Sequence, residues 1–142
     1  MVINIKYFSK DITPIKEIEK GDMIDLRCAE DVYLRKGEYY QIPLGIGMKM
    51  PKGYEAHVYP RSSTYKNYHV IQANSVSVID NSYSGDNDQW FYPVIALEDT
   101  HIPIDSRICQ FRVFRNMEHV VPVTVTKLDD IDRGGFGSTG NK

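Results

Sequence analysis

The chain has 142 residues, 42% hydrophobic and 25% charged, with a formal net charge of −2. That balance excludes a general nucleic-acid binder, which needs a basic face, so any polyanionic ligand must be met by a few placed arginines or a metal ion. No apolar run reaches membrane-spanning length and the opening "MVINIKYFSKD" lacks a signal-peptide core, which together read as a cytoplasmic protein away from membranes.

The length suits one domain around one core. In chain order, "VINIKYF" (2–8) alternates like a strand. "DITPIKEIEKG" (11–21) reads as one short helix, with Thr13 as cap, Pro14 in the first turn and Gly21 as the stop. Strands are then expected at 31–35, 38–42, 45–50, 54–60, 91–97, 107–114 and 120–127, each rich in β-branched and aromatic residues. Gly37 and Gly53 mark turns between them. In "YEAHVYP", Tyr54, Ala56 and Val58 share one face while Glu55 and His57 take the other. Many short strands at even spacing predict an all-β sandwich, jelly roll or barrel. The tail "RGGFGSTGNK" has too little apolar surface to fold alone and reads as a frayed end, with an arm that orders on a ligand as the alternative.

Cys28 and Cys109 lie far apart in strand-like sequence and read as buried free thiols in a reducing compartment. The four histidines show no zinc-ligand spacing.

Four stretches carry chemistry. In "PRSS", Arg61 offers a planar fork of donors matched to phosphate oxygens, and Ser62 and Ser63 can complete an anion nest. In "DSRICQF", regular alternation puts Arg107 and Gln110 on opposite faces, so a shared site would need a bulge. Asp25 in "MIDLRCAED" either pairs locally or holds a water on magnesium, an ion that keeps several waters and is often carried by substrate phosphates. In "NSVSVIDNSYSGDNDQW", Asn81-Ser82 can form a two-residue hairpin loop that makes Asp80 and Tyr83 a cross-strand pair. Asp80 then suits a general base for water, and the Tyr83 ring a wall for a sugar or base. Each stretch alone also fits an ordinary turn or a local ion pair.

Taken in order, "IDLRCAED", "YPRSS", "NSVSVIDNSYSGD", "DSRICQF" and "RGGFGSTG" resemble the five motifs of the trimeric dUTPases, most closely those of bacilli and their phages. The resemblance implies a jelly-roll-like β-clip fold (1–128) with a flexible glycine-rich C-terminal arm (129–142). It also implies a homotrimer whose three active sites are each built from all three subunits, converting dUTP and water to dUMP and pyrophosphate with Mg²⁺. By position, it gives Asp80 the activation of the attacking water and Tyr83 the stacking on deoxyribose that leaves no room for a 2′-hydroxyl. Asn74 is given the uracil edge, helped by backbone at Val78 and Ile79. Arg61, Ser62 and Ser63 are given the phosphates, Gln110 the phosphates and metal waters, and Asp25 the metal through water. Arg133, Phe136, Gly137 and Ser138 come from the fifth motif, and either Phe136 or Phe91 caps uracil. The chain departs from the family pattern in having Ser82 for a second acidic residue, Ser77 for a glycine, and Asp105-Ser106 for Gly-Asp. Arg133 also abuts Gly134 where two residues normally intervene. Two alternatives stand beside this reading. One is a nucleotide-gated regulatory binding protein, because some phage-type members also bind partner proteins. The other is a dCTP deaminase of the same fold, which would call for a glutamate where this chain has Asp80.

Overall fold

The computed structural model describes all 142 residues. Eleven strands and one helix run in the order β1 Asn4–Tyr7, β2 Ile24–Arg27, β3 Val32–Leu34, β4 Tyr39–Pro43, β5 Ile46–Lys49, β6 Tyr54–Pro60, α1 Thr64–Tyr68, β7 Val70–Gln72, β8 Ser77–Ile79, β9 Phe91–Ala96, β10 Thr100–Ile102 and β11 Arg107–Arg115. They pair antiparallel into a four-stranded sheet β2-β11-β6-β8, a three-stranded sheet β4-β9-β7, and the ribbons β1-β5 and β10-β3. The fold is the expected all-β, jelly-roll-like one.

Period-two patterning explains the packing. In β6, Ala56 and Val58 are fully buried, and in β9 Tyr92, Val94 and Ala96 are, while their neighbours face outward. Together with Ile42, Leu44, Trp90, Ile108 and Phe111 they belong to one cluster of 21 buried residues. Trp90 meets Phe111 edge-to-face at 5.4 Å, so its indole serves packing as well as the floor of a cavity described below. Both cysteines are buried and free, and burial pushes the Cys28 thiol up to about 11 and Cys109 well above the ordinary thiol range. No helix is long and apolar enough to cross a membrane.

Two expectations about elements fail. Residues 11–21 form no helix. Thr13 does not cap one: its N–H and hydroxyl donate to the two carboxylate oxygens of Asp105, each at 2.7 Å, and the Ile15 N–H donates to the Tyr7 hydroxyl at 2.8 Å. Tertiary hydrogen bonds thus hold this segment off the helical path. The helix lies instead at Thr64–Tyr68 and ends at His69 in a left-handed conformation (φ 54°). The expected strand at 120–127 is also absent, because no strand of this chain pairs with it. Val121 and Val123 are 70% and 75% exposed, and the residues beyond β11 cover no part of the core.

Asp105 has φ 65°, a left-handed position that glycine occupies without penalty and Asp tolerates. The side chain gained there ties β11 to the 11–15 segment and to Arg27, whose Nη1 lies 3.4 Å from Oδ2. These hydrogen bonds, from Thr13 above all, hold the Asp105 carboxyl below the ordinary carboxylate range.

Candidate active site

A cavity of about 580 Å³ opens beside β8, walled by Tyr39, Asn74, Val78, Ile79, Tyr83, Trp90 and Phe91, with Asp80 at its edge. β8 is the edge strand of its sheet, paired to β6 through Ser77 with Val58 and Ile79 with Ala56. The chain then turns: the Tyr83 N–H donates to the Asp80 carbonyl at 3.0 Å over Asn81 and Ser82. No strand follows, so Asp80 and Tyr83 flank a β-turn and are not a cross-strand pair of a hairpin. Other contacts fix the turn. The Asn81 amide nitrogen lies 3.2, 2.9 and 3.1 Å from the carbonyls of Met50, Pro51 and Tyr54. The Tyr83 hydroxyl donates to the Gln89 carbonyl at 2.8 Å, which sets the ring along the cavity wall.

The Ser82 hydroxyl donates to Asp80 Oδ2 at 2.7 Å. That bond, with the N–H groups of Ser82 and Asn81, holds the Asp80 carboxyl below its usual range. A carboxyl with a depressed pKa stays ionised, and so able to accept a proton, further into acid. Ser82→Ala removes the largest cause and returns the pKa upward. With Asp80 as the candidate base, the acid limb of kcat/KM should move to higher pH, with the plateau rate largely retained. A pH–rate profile of the two proteins checks this; an unmoved limb would detach Ser82 from the base.

A second constellation lies on the outer face of β2, β6 and β11. Arg61 Nε donates to Asp25 Oδ1 at 2.8 Å, and Arg107 Nη1 lies 3.6 Å from Oδ2. The register between β11 and β2 shifts between Arg107 and Cys109, a bulge that leaves both Ile108 and Cys109 buried. It brings Arg107 to the side of Gln110, which stands opposite Asp25 and donates to the Pro60 carbonyl at 3.1 Å. Thr64 anchors the cluster. Its buried hydroxyl accepts from the Arg61 N–H at 2.8 Å and donates to the Ile108 carbonyl at 2.9 Å, tying the Arg61 turn to the bulge. Ser63 precedes α1 without a side-chain capping bond, and Ser62 is exposed, so neither hydroxyl is committed.

The structure does not bring these two constellations together. Ile79 pairs with Ala56, which sets Asp80 level with Glu55 at one end of β6, whereas Arg61 follows Pro60 at the other end. The six residue steps from Glu55 to Arg61 span roughly 20 Å, longer than a nucleotide's triphosphate. Of the fifth-motif residues, Arg133, Phe136, Gly137 and Ser138 lie in the exposed tail and line neither constellation. Phe91 does line the cavity.

No group of three His, Cys, Asp or Glu side chains converges anywhere in the chain. Asp25 is the one carboxylate of the arginine cluster, and both its oxygens are ion-paired. That donor set cannot cage a divalent cation, but it fits one held mainly by a ligand's phosphates and waters.

Two contributors escape sequence reading, Thr64 and Gln72, as do the carbonyl contacts that anchor the Asn81 side chain. The one trace Gln72 leaves is that it interrupts the apolar run in "HVIQAN".

An open cavity with a carboxylate at its edge and a separate arginine cluster, on an all-β domain, are the parts that a hydrolase of phosphorylated nucleosides requires. The dUTPase family description matches residues 13–140. The chain is 56% identical to the SPbeta prophage-derived deoxyuridine 5'-triphosphate nucleotidohydrolase of Bacillus subtilis, over 100% of both chains. It is 32% identical to the deoxyuridine 5'-triphosphate nucleotidohydrolase of Finegoldia magna, over 97% of this chain and 99% of that one. The chain belongs to the dUTPase family and is a dUTP diphosphatase. Solved structures share its fold. A Staphylococcus bacteriophage 80alpha dUTPase mutant with dUpNHpp superposes with TM-score 0.81 at 17% identity, over 99% of each chain. A phage phi11 dUTPase mutant, described with a structural Mg(II) ion, gives TM-score 0.78 at 13% identity, over 92% of this chain and 100% of that one.

Proposed function

We propose that dUTP hydrolysis proceeds here by attack of an Asp80-activated water on the α-phosphate, at sites shared between three copies of the chain. The observation that carries this reading is the roughly 20 Å between Asp80 and Arg61 within one chain. A base and a phosphate clamp that serve one ligand must then come from different copies, and a closed ring of three supplies three equal sites.

In this reading uracil enters the cavity, Asn74 and the backbone at Val78 and Ile79 meet its edge, and the deoxyribose stacks on Tyr83. The Tyr83 ring, held by its hydroxyl, excludes a 2′-hydroxyl by collision. A neighbouring copy presents Arg61, Ser62, Ser63 and Gln110 to the phosphates. Asp80 takes a proton from a water in line with the α–β bridge, the water oxygen bonds to the α-phosphorus, and pyrophosphate leaves with the bond's electrons. Magnesium bound with the triphosphate would neutralise phosphate charge, and Asp25 would hold one of its waters, giving up part of its pairing with Arg61 and Arg107. Residues 129–142 act as an arm outside the 1–128 domain. They bring Arg133 and Ser138 to the phosphates, and Phe136 over a base whose other side faces Phe91. The cellular role is to keep uracil out of DNA and supply dUMP for thymidylate, in the cytoplasm.

The test follows pyrophosphate release from dUTP, with and without magnesium, together with the solution mass. Magnesium-dependent release from dUTP, little release from dCTP or dTTP, no ammonia from dCTP, and a mass of three chains are expected. An active monomer would overturn the shared site.

A further inference from the structure

We propose that Gln72 sets the base selectivity of this enzyme by locking the orientation of the Asn74 amide; the inference rests on Asn74 reading the base. Gln72 ends β7, at the rim of the three-stranded sheet, and its side chain crosses to the four-stranded one. There Nε2 donates to the carbonyl of the fully buried Val58 at 3.0 Å, and lies 3.2 Å from both Asn74 Oδ1 and Ser77 Oγ. A carboxamide has two hydrogens. One is held by Val58, and the other is left for Asn74 and Ser77.

This fixes a sequence of polarity. A reversed Gln72 amide would set its oxygen against the Val58 carbonyl, acceptor to acceptor. Its NH₂ end therefore faces Val58 and Asn74. A reversed Asn74 amide would in turn set one NH₂ group against another. Asn74 Oδ1 therefore points to Gln72, and Nδ2 donates to Ser77 Oγ at 2.8 Å; the Ser77 hydroxyl, 3.2 Å from Oδ1 as well, serves either orientation, so the polarity is set by Gln72. The arrangement strands an atom: Gln72 Oε1 is buried with no partner. An apolar side chain of similar shape would bridge the sheets without that cost, so bridging alone does not account for a glutamine here.

The chemistry at stake is the edge of a pyrimidine. Uracil presents an N3–H donor between two carbonyl acceptors, and cytosine presents an unprotonated N3 beside an amino donor. An asparagine amide free to rotate serves either pattern. One with its ends fixed serves a single pattern and leaves the other unpaired, which is how a hydrogen-bonding site rejects an analogue. Gln72 does not line the cavity, so it is a positioning residue.

The test compares Gln72→Met, Gln72→Glu and Asn74→Ala with the parent, by kcat and KM for dUTP and dCTP and by thermal melts. In Gln72→Met the dUTP-over-dCTP ratio of kcat/KM should fall about 10- to 100-fold, carried by KM for dUTP with kcat nearly held. Gln72→Glu should lower it further, because its carboxylate accepts from the Asn74 amino end and reverses that amide. If Asn74→Ala collapses the ratio while folded Gln72 variants keep it, the lock is wrong and the Asn74 reading stands. If Asn74→Ala keeps the ratio, that reading fails and the inference with it. A readout on the unmutated protein needs no variant to fold: by NMR the Gln72 side-chain amide protons should exchange with solvent much more slowly than those of an exposed glutamine. Gln72 protons that exchange as fast as an exposed glutamine's would overturn the proposal.

Discussion

Asp80→Asn should lower kcat for dUTP by about three orders of magnitude while nucleotide affinity holds, since a positioned general base contributes on the order of 10²–10⁴. Asparagine keeps the shape and can still accept the Ser82 hydroxyl's hydrogen bond, so the turn over Asn81 and Ser82 is retained. The side chain is exposed and touches no core residue, so the melting temperature should match the parent's. The substitution thus separates proton acceptance from binding and from folding. Steady-state rates and the affinity for a non-hydrolysable dUTP analogue read the two separately. Turnover near the parent's rate would remove Asp80 from the mechanism. A matched loss of affinity would make it a binding residue instead.

The strands were legible because their faces differ. Alternation in 54–60 and 91–97 marks which residues of β6 and β9 enter the core, and burial follows that pattern. The helix was misplaced because capping signals are local, whereas Thr13 and Ile15 are claimed by Asp105 and Tyr7 from elsewhere in the fold. The valines at 121, 123 and 125 alternate as a strand should, yet a strand needs a partner, and this chain supplies none. Alternation alone does not make a strand when nothing is beside it to take up its backbone hydrogen bonds. The candidate site divides similarly. Residue type and order single out Asp80, Tyr83 and Arg61 as candidates, and the structure sets the first two at the cavity and the third in the separate arginine cluster. The bulge that turns Arg107 toward Gln110 was readable only as a condition on their sharing a site. The Gln72–Asn74 contact depends on two sheets meeting, and no spacing along the chain reports it.

Arg61→Ala and Asp80→Asn proteins, each nearly inactive alone, should recover activity when unfolded and refolded together. In the proposed mechanism Arg61 gives the phosphates a charge-assisted contact that solvent does not replace, so its loss should cost about 100-fold or more. Asp80 lies roughly 20 Å away on the same copy, so in the proposed ring of three the two lesions fall in different sites. In an equal mixture, a site takes an intact Asp80 from one copy with even odds and an intact Arg61 from its neighbour with even odds. About one site in four then holds both, and the mixture should approach a quarter of the parent's pyrophosphate release. A mixture no better than its separate parts would place both groups in a site made by one chain, which the distance along β6 argues against. The recovered fraction also reports geometry, because two groups drawn always from the same copy could not complement at any mixing ratio.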